Sequence, residues 1–408
     1  MSLIGEGAYG CVYLPSLTCK KKHVKKYYTD KISKATTFSN AINEIKQQEY
    51  IDNNIDPKFK YHISPPVNCV PDLSIKSNVK QLKECDALKK DDGKLIPKKE
   101  IALLIMNNGG IDLKKFATYL TYNPHSPLYT PSDMKLTEST YYKQLNEKNK
   151  PKIIIDFWRK SIILINALDD FAKNKTMHHD LKPENIVYDH IKKRFNIIDY
   201  GLSRKYEEYH SNIAHFSYPP ETYVLNPSVY NIVSNASNKE FKHILGIDPI
   251  NENTTFMDSY KYFMLYIIIN DYTDDSKYGF KTKQDILSIF NTNLYKGKTL
   301  NEIQHQSMIT HDMYGMGLAL MYIFVRTFFY LRNTDGILNE KFIKKMYNIL
   351  FSMVHPNCFE RPTINNLKQN YEKTLLLLGQ RSRSTANSKN KTSLSVRKNT
   401  FTRRSKNN

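Results

Sequence analysis

Two acidic residues with polar neighbours lie close together between residues 177 and 201. Asp180 is followed two residues later by Lys182 and five residues later by Asn185, and Asp199 opens an Asp-Tyr-Gly sequence. One carboxylate can accept the proton of an acceptor hydroxyl, while a second carboxylate and an amide can hold Mg²⁺ on the phosphates of ATP. The stretch therefore predicts phosphoryl transfer, with Lys182 placing positive charge on the migrating phosphate.

Local elements must bring these side chains together. The segments 186–188 and 195–198 are apolar and flank a basic connector, so they predict a short β-hairpin that holds Asp180 near Asp199. Upstream, residues at helical spacing mark one face of a long helix that ends just before His178 and presents the Asp180 loop. These residues are Ile154, Phe157, Ser161, Ile165 and Leu168.

The types and order of these residues resemble the catalytic loop and magnesium motif of the eukaryotic-type Ser/Thr protein kinase family, His-Arg-Asp-x-x-x-x-Asn and Asp-Phe-Gly. His179 stands at the Arg position and Tyr200 at the Phe position. The resemblance implies an α+β, two-lobed protein-kinase-like fold, ATP and Mg²⁺ as cofactors, and protein hydroxyls as acceptors. It assigns Asp180 as base, Lys182 as γ-phosphate contact, and Asn185 and Asp199 as metal ligands.

A glycine-rich stretch near the start of the chain predicts a strand, a tight turn and a second strand. Its glycines let the backbone lie close over phosphates. A dinucleotide-binding fold would need a helix directly after the glycines, and Pro15 disfavours one. The predicted nucleotide contacts here are Ile4, Gly5, Gly7, Gly10 and Val12.

The family resemblance also requires a strand lysine, paired to a helix glutamate, on the α- and β-phosphates. Strand alternation in residues 27–32 puts Thr29 and Lys31 on one face, which favours Lys31 as the lysine. We predict that it pairs with Glu44 on a helix over residues 39–51. The alternatives are Lys34 and Lys26 for the lysine, and Glu49 for the glutamate.

The apolar run from Ile101 to Met106 predicts a buried strand, which ends at the polar and glycine residues 107–110. In the resembled family this is the hinge, so we expect the backbone from Ile105 to Asn107 to bind adenine and Leu104 to guard the pocket behind it. Asp112 either reaches the ribose or simply caps the next helix.

Three later residues extend the resemblance towards residue 370. Glu221 closes a Pro-Pro-Glu sequence that is similar to the family's Ala-Pro-Glu, and Arg361 is similar to the arginine that pairs with that glutamate. Asp312 resembles the aspartate that opens the central buried helix and braces the catalytic loop. His179, mostly neutral at pH 7, would grip a phosphate poorly, which favours activity without a phosphorylated activation segment.

The resulting organisation is an N-lobe over residues 1–107 with an insertion at 71–99, and a C-lobe over 108–380 with insertions at 121–150 and 223–310. Residues 381–408 hold nine Lys or Arg residues and no acidic ones, which predicts a disordered basic tail. The tail is a candidate contact for nucleic acid or an acidic partner, or a solvated tail without a specific role. The apolar run Met313–Val325 is too short to span a bilayer and predicts a buried helix.

The amino-acid composition says less about the function of the protein than these motifs do. The formal net charge of +20 attracts anionic partners without specificity. Five widely spaced cysteines suggest neither a zinc site nor a disulfide framework, so we expect a reducing intracellular compartment, cytoplasmic or nuclear. The Asp-Tyr-Gly variant and the insertions make the chain most similar to the divergent kinases of large DNA viruses. This resemblance implies that the protein is located in the host cytoplasm or in the virion.

Three alternatives remain open. A pseudokinase scaffold would keep the fold and bind partners through the insertion and the tail. A small-molecule phosphotransferase would share the ATP site but would not need the framework of Glu221, Asp312 and Arg361. A basic nucleic-acid-binding protein would show steeply salt-dependent binding that depends on residues 381–408. The physiological substrate and the oligomeric state do not follow from the sequence.

Overall fold

The computed structural model describes most of the chain, with gaps. The described residues are 2–7, 9–20, 31–63, 66–121, 149–209, 218–238, 240, 280–281, 285, 288–289, 291–331 and 339–378. The predicted tail, residues 210–217 and residues 241–279 of the predicted 223–310 insertion lie outside them, as do most residues of the 121–150 insertion.

The N-terminal region is built on an antiparallel sheet with the strand order β1-β2-β3-β5-β4. Its strands are β1 Ser2–Gly7, β2 Gly10–Leu14, β3 Lys31–Thr37, β4 Val67–Cys69 and β5 Ile101–Asn107. The predicted strand–turn–strand at the glycines is confirmed as the β1–β2 hairpin, and the predicted strand at 101–106 is confirmed as β5. Helix α1, Phe38–Tyr50, follows β3 directly, as predicted, and Thr37 caps it by accepting a hydrogen bond from the amide of Asn40.

Because side chains alternate along a strand, this sheet has two different faces. On one face, Ala102 and Leu104 of β5 pack with Ala41 of α1. On the other face, Leu103 packs with Leu82 of α2, Lys76–Lys83. That helix belongs to the segment 71–99, which lies between β4 and β5, as predicted, and covers the sheet rather than extending into solvent.

Two cysteine pairs contradict the expectation that the chain has no disulfide framework. Cys11 on β2 is bonded to Cys85, and Cys19 is bonded to Cys69 of β4. Both pairs have Cα atoms 5.9 Å apart, within the usual range for a disulfide. The first disulfide joins the β1–β2 hairpin to the layer that covers the sheet, and the second joins the segment after β2 to the edge strand β4. Cys358 is buried and free.

The C-terminal region is mainly helical around one large hydrophobic core, so the described residues have an α+β architecture. Its helices are α3 Leu113–Thr121, α4 Lys150–Lys160, α5 Ile162–Lys173, α6 Glu221–Val224, α7 Pro227–Asn235, α8 Leu300–Leu331, α9 Glu340–Met353 and α10 Ile364–Leu375. Its short strands are β6 Ile111–Asp112, β7 Thr176–Met177, β8 Ile186–Asp189, β9 Arg194–Ile197 and β10 Arg204–Lys205. They form the sheets β6-β8-β9 and β10-β7.

Two helix predictions need correction. The single long helix before His178 is divided at Ser161, whose hydroxyl donates to the carbonyl of Trp158 and also bonds the Tyr371 hydroxyl. The central helix α8 begins at Leu300, so Asp312 lies inside it rather than opening it. The last residues of the predicted 223–310 insertion therefore form part of this core helix.

Helix α8 contains the predicted buried run Met313–Val325. Within the described residues, the stretch Leu300–Phe328 is long and apolar enough to cross a membrane, but 83% of its apolar window is buried inside the protein. A helix so enclosed by other protein segments is typical of a core helix, which fits the predicted buried helix better than a span.

Candidate active site

The β8–β9 hairpin is present as predicted and sets the spacing of two site residues. Ile186 pairs with Ile197, and the amide of Ile198 donates to the carbonyl of Asn185 over 3.0 Å. Asn185 therefore lies directly before one strand and Asp199 shortly after the other. Two residues that are separated along the chain thus come to the same end of a short, buried hairpin.

Asp180 lies at the centre of a small hydrogen-bond network. The ammonium of Lys182 donates to its two carboxylate oxygens over 3.0 and 2.8 Å. The amide of Asn185 donates over 2.8 Å both to the Asp180 carboxylate and to its backbone carbonyl. The three predicted catalytic residues are therefore brought together, and the carboxylate is oriented by two side-chain donors.

Asp312 braces the loop that carries Asp180, as predicted. Its carboxylate accepts hydrogen bonds from the backbone amides of His178 over 2.6 Å and of His179 over 2.9 Å. One turn further along α8, a Cβ on Gly315 would collide with the carbonyl oxygen of Leu181, so only glycine lets the helix approach this closely. The loop that carries Asp180 thus packs directly on the central buried helix.

Two residues of these loops have left-handed backbone conformations. His179 has φ 68° and Asp199 has φ 64°. Such conformations are uncommon outside glycine and persist where the surrounding structure enforces them, often at functional sites. For His179, the hydrogen bonds from its own backbone amide and that of His178 to Asp312 hold this conformation in place.

The predicted pairing of Lys31 with Glu44 is wrong. Glu44 of α1 instead pairs with Lys34, which was the first alternative, at 2.7 Å between Nζ and Oε2. The same ammonium lies 3.6 Å from a carboxylate oxygen of Asp199. Burial alone would lower the pKa of Lys34, but the carboxylates of Asp199 and Glu44 outweigh it and raise the pKa. Lys34 therefore remains charged and joins the N-terminal sheet to the end of the β8–β9 hairpin.

The register of β3 explains this error. Residues 27–30 of the predicted strand lie outside the described residues. Within β3, Lys34 lies opposite Leu104 of β5 on the face that α1 covers. Lys31 has the opposite parity, so it lies on the other face, where its ammonium bonds the side chain of Asn107. Ile32 lies two residues before Lys34 on the same face, and the sequence interpretation did not name it.

The glycine-rich hairpin lies next to this lysine. Val12 pairs across the sheet with Gly5 on one side and with Lys34 on the other. Gly10 has φ 156°, and a Cβ there would collide with the carbonyl oxygen of Ala35. The turn of the hairpin is also tied to β3, because the Thr36 hydroxyl donates to the carbonyl of Tyr9 over 2.5 Å.

The end of β5 leads from the sheet into the helical region. Leu104 and Ile105 are buried, while Asn107 is exposed at the end of the strand. Asp112 accepts a hydrogen bond from the amide of Lys115 over 2.8 Å and thus caps α3, the simpler of its two predicted roles. The Lys115 ammonium also donates to the carbonyl of Ile4 over 2.8 Å, which bridges the helical region to β1.

His179 lies in an aromatic pocket. Its ring centroid is 4.7 Å from that of His311 and 5.0 Å from that of Tyr218. Burial first, and then the positive charge of Arg204, lower the pKa of His179 to about 3. The histidine at this position is therefore neutral over the physiological range of pH.

Glu221 and Arg361 form the predicted ion pair, which is completely buried. The guanidinium donates to both carboxylate oxygens, over 2.6 and 2.8 Å, and to the Thr310 hydroxyl over 3.0 Å. Such bidentate contacts fix both partners strongly. The pair ties the segment that follows residues 210–217 to α8 and to the start of α10.

The chain was compared with known protein families, and no family model matches it.

Proposed function

We propose that the protein is an ATP-dependent serine/threonine protein kinase with a two-lobed, protein-kinase-like fold. The observation that carries this proposal is the convergence of Lys34, Glu44 and Asp199, from three different elements, within reach of the loop that carries Asp180 and Asn185. A buried cation held by two carboxylates beside a glycine-rich hairpin suits the α- and β-phosphates of a nucleotide.

In this proposal each region has a separate task. Val12, Ile32 and Leu104 would enclose the adenine, the backbone of residues 105–107 would hydrogen-bond it, and the β1–β2 hairpin would cover the phosphates. Asn185 and Asp199 would hold Mg²⁺ through an amide and a carboxylate oxygen, the kind of ligand that Mg²⁺ prefers. Bound Mg²⁺ would neutralise charge that develops on the phosphates.

Asp180 would accept the proton of the acceptor hydroxyl. Its carboxylate is already oriented by Asn185 and Lys182, and Lys182 has an ammonium that can turn from Asp180 towards the transferred phosphate. A carboxylate that is positioned before substrate binds reduces the reorganisation required during transfer.

The neutral His179 supports the hypothesis that transfer does not depend on a phosphorylated activation segment. A neutral imidazole surrounded by His311 and Tyr218 offers little attraction to a phosphate. Phosphatase treatment of the purified protein should therefore leave its activity unchanged, and a treated protein that becomes inactive would contradict this.

The proposal is tested by transfer of labelled γ-phosphate from Mg-ATP to a basic protein and to the protein itself. Wild type should label serine or threonine, and Asp180→Asn should reduce the rate by about 10²- to 10⁴-fold, the usual contribution of a general base. Asp91→Asn, at an exposed site in the segment between β4 and β5, is the matched control. Binding of Mg-ATP without transfer by the wild type would instead favour the pseudokinase scaffold.

A further inference from the structure

A buried histidine lies outside the residues used so far, between two carboxylates. The Nδ1 atom of His62 is 2.9 Å from a carboxylate oxygen of Asp56, and its Nε2 atom bonds a carboxylate oxygen of Asp52. The side chains of His62 and Asp56 are fully buried. Burying a charged group costs free energy unless the group is paired and hydrogen-bonded. A buried cluster of this kind therefore suggests a structural or functional role.

The two nitrogens of His62 both face hydrogen-bond acceptors. Each ring nitrogen of a histidine can take part in one hydrogen bond, so both nitrogens of His62 are used. Burial alone would raise the pKa of Asp56, but hydrogen bonds from His62 and from the amides of Tyr61 and Lys60 lower it. The His62 ring therefore links the carboxylates of Asp52 and Asp56. Among the described residues, no lysine or arginine forms an ion pair with either aspartate.

The two aspartates belong to the end of α1. This helix continues as one wide turn of π-helix over Ile51–Ile55, and the amide of Asp56 closes that turn on the carbonyl of Ile51 over 2.9 Å. By holding Asp52 and Asp56 together, His62 fixes the C-terminal end of the helix that carries Glu44. Gln48 adds a second link, since its amide donates to the carbonyl of Ile63 over 2.7 Å.

The backbone around His62 pairs instead with β9, the strand that leads to Asp199. The amide of Ile197 donates to the carbonyl of Tyr61 over 2.7 Å, and Arg194 donates to the carbonyl of His62 over 2.9 Å. The ring of Tyr200 meets the His62 ring edge-on, with centroids 6.3 Å apart. His62 therefore contacts both of the elements that bring a carboxylate to Lys34.

We infer that His62 is a positioning residue, which holds α1 and the β9 strand in the relative placement that lets Glu44 and Asp199 share Lys34. This inference rests on the proposed phosphoryl transfer. His62 would not touch nucleotide or substrate, and its effect on the reaction would pass through the Lys34–Glu44 ion pair.

A double-mutant cycle tests this. His62→Gln should lower kcat by about ten- to a hundredfold, the effect of displacing a reacting group by about 1 Å. In a Glu44→Gln background the further loss should be less than about twofold, because coupled sites are not additive. Equal losses in both backgrounds would overturn the inference, as would an unchanged kcat with only a lower Tm.

Asp52→Asn is the second variant, because it keeps the shape of the cluster and the pair between His62 and Asp56. It should give a smaller loss of kcat that also disappears in the Glu44→Gln background. His305→Gln, at an exposed site on α8, is the control for losing a histidine and should change neither kcat nor Tm.

Amide hydrogen exchange gives a readout that does not depend on activity. In His62→Gln, residues 38–50 should exchange faster than in wild type, while α8 keeps its protection. Unchanged protection of α1 would overturn the inference. If wild type transfers no phosphate, the proposed function fails, and the exchange experiment alone then decides whether His62 positions α1.

Discussion

The N-terminal sheet and the helical C-terminal region are stabilised in different ways. The sheet divides its apolar residues between two small clusters, one on each face, and is stapled by two disulfides. The helical region surrounds α8 with one large core and contains the buried pair of Glu221 and Arg361. A small sheet buries less apolar surface per residue, so covalent links add proportionally more to its stability.

The two regions also contribute differently to the proposed chemistry. Asp180, Asn185 and Asp312 are fixed by one another and by the central helix, within a single region. Lys34, in contrast, is placed by a strand, by a helix and by Asp199 from the other region. We therefore expect mutations in the sheet to leave the arrangement of the loop that carries Asp180 unchanged. The proposed binding of phosphates by Lys34 should depend on both regions.

The largest effect on stability should come from Arg361. Arg361→Met leaves the fully buried Glu221 without its partner, and breaking a buried ion pair in this way costs about 3–5 kcal/mol. The double variant Arg361→Met/Glu221→Leu removes both charges and should recover most of that loss. Urea unfolding of both variants measures this, and a double variant no more stable than the single one would contradict it.

A somewhat smaller effect, on activity rather than on stability, should separate two lysines of the same strand. Lys34→Met removes the cation between Glu44 and Asp199 and should lower kcat/KM by about 10²- to 10³-fold, as for other preorganised electrostatic contacts. Lys31→Met is the matched control on the other face, and should change kcat/KM by less than about twofold. Equal losses would show that the register of β3 does not determine which lysine acts.

The disulfide between Cys11 and Cys85 should matter mainly to the sheet. Closing a chain loop of this length contributes about 2–4 kcal/mol, so Cys11→Ser/Cys85→Ser should weaken protection of β2 and α2 in hydrogen exchange. Protection of α8 and α9 should stay as in wild type. A reductant should affect wild type more than the double variant, and equal protection of β2 in all of these samples would contradict the difference between the two regions.

The arrangement of the loop that carries Asp180 was the part of the proposed site that the sequence could predict best. Asp180, Lys182 and Asn185 lie within six consecutive residues, and the β8–β9 hairpin that relates them to Asp199 is local. Their arrangement therefore depends little on distant contacts. The buried pair of Glu221 and Arg361, which are 140 residues apart, was predicted only because a family pattern supplied it.

The errors all concern contacts that local sequence does not determine. The choice between Lys31 and Lys34 depends on which face of the sheet each lysine occupies, and this is set by pairing with β5, about 70 residues away. The cysteine pairs are separated by 74 and 50 residues, and their spacing follows no recognisable pattern. Nothing near Asp312 marks the start of α8 twelve residues earlier, because the helix is continuous through that position.

The most direct test of the account is the effect of Mg²⁺ on ATP binding by Asp199→Asn, measured by titration calorimetry. The account predicts that wild type binds ATP more tightly with Mg²⁺ than without it. The variant, which keeps Lys34 but lacks the carboxylate, should lose this difference and transfer no phosphate. A variant that retains both the Mg²⁺ dependence and wild-type transfer would contradict the claim that the two regions meet at Asp199 to hold Mg-ATP.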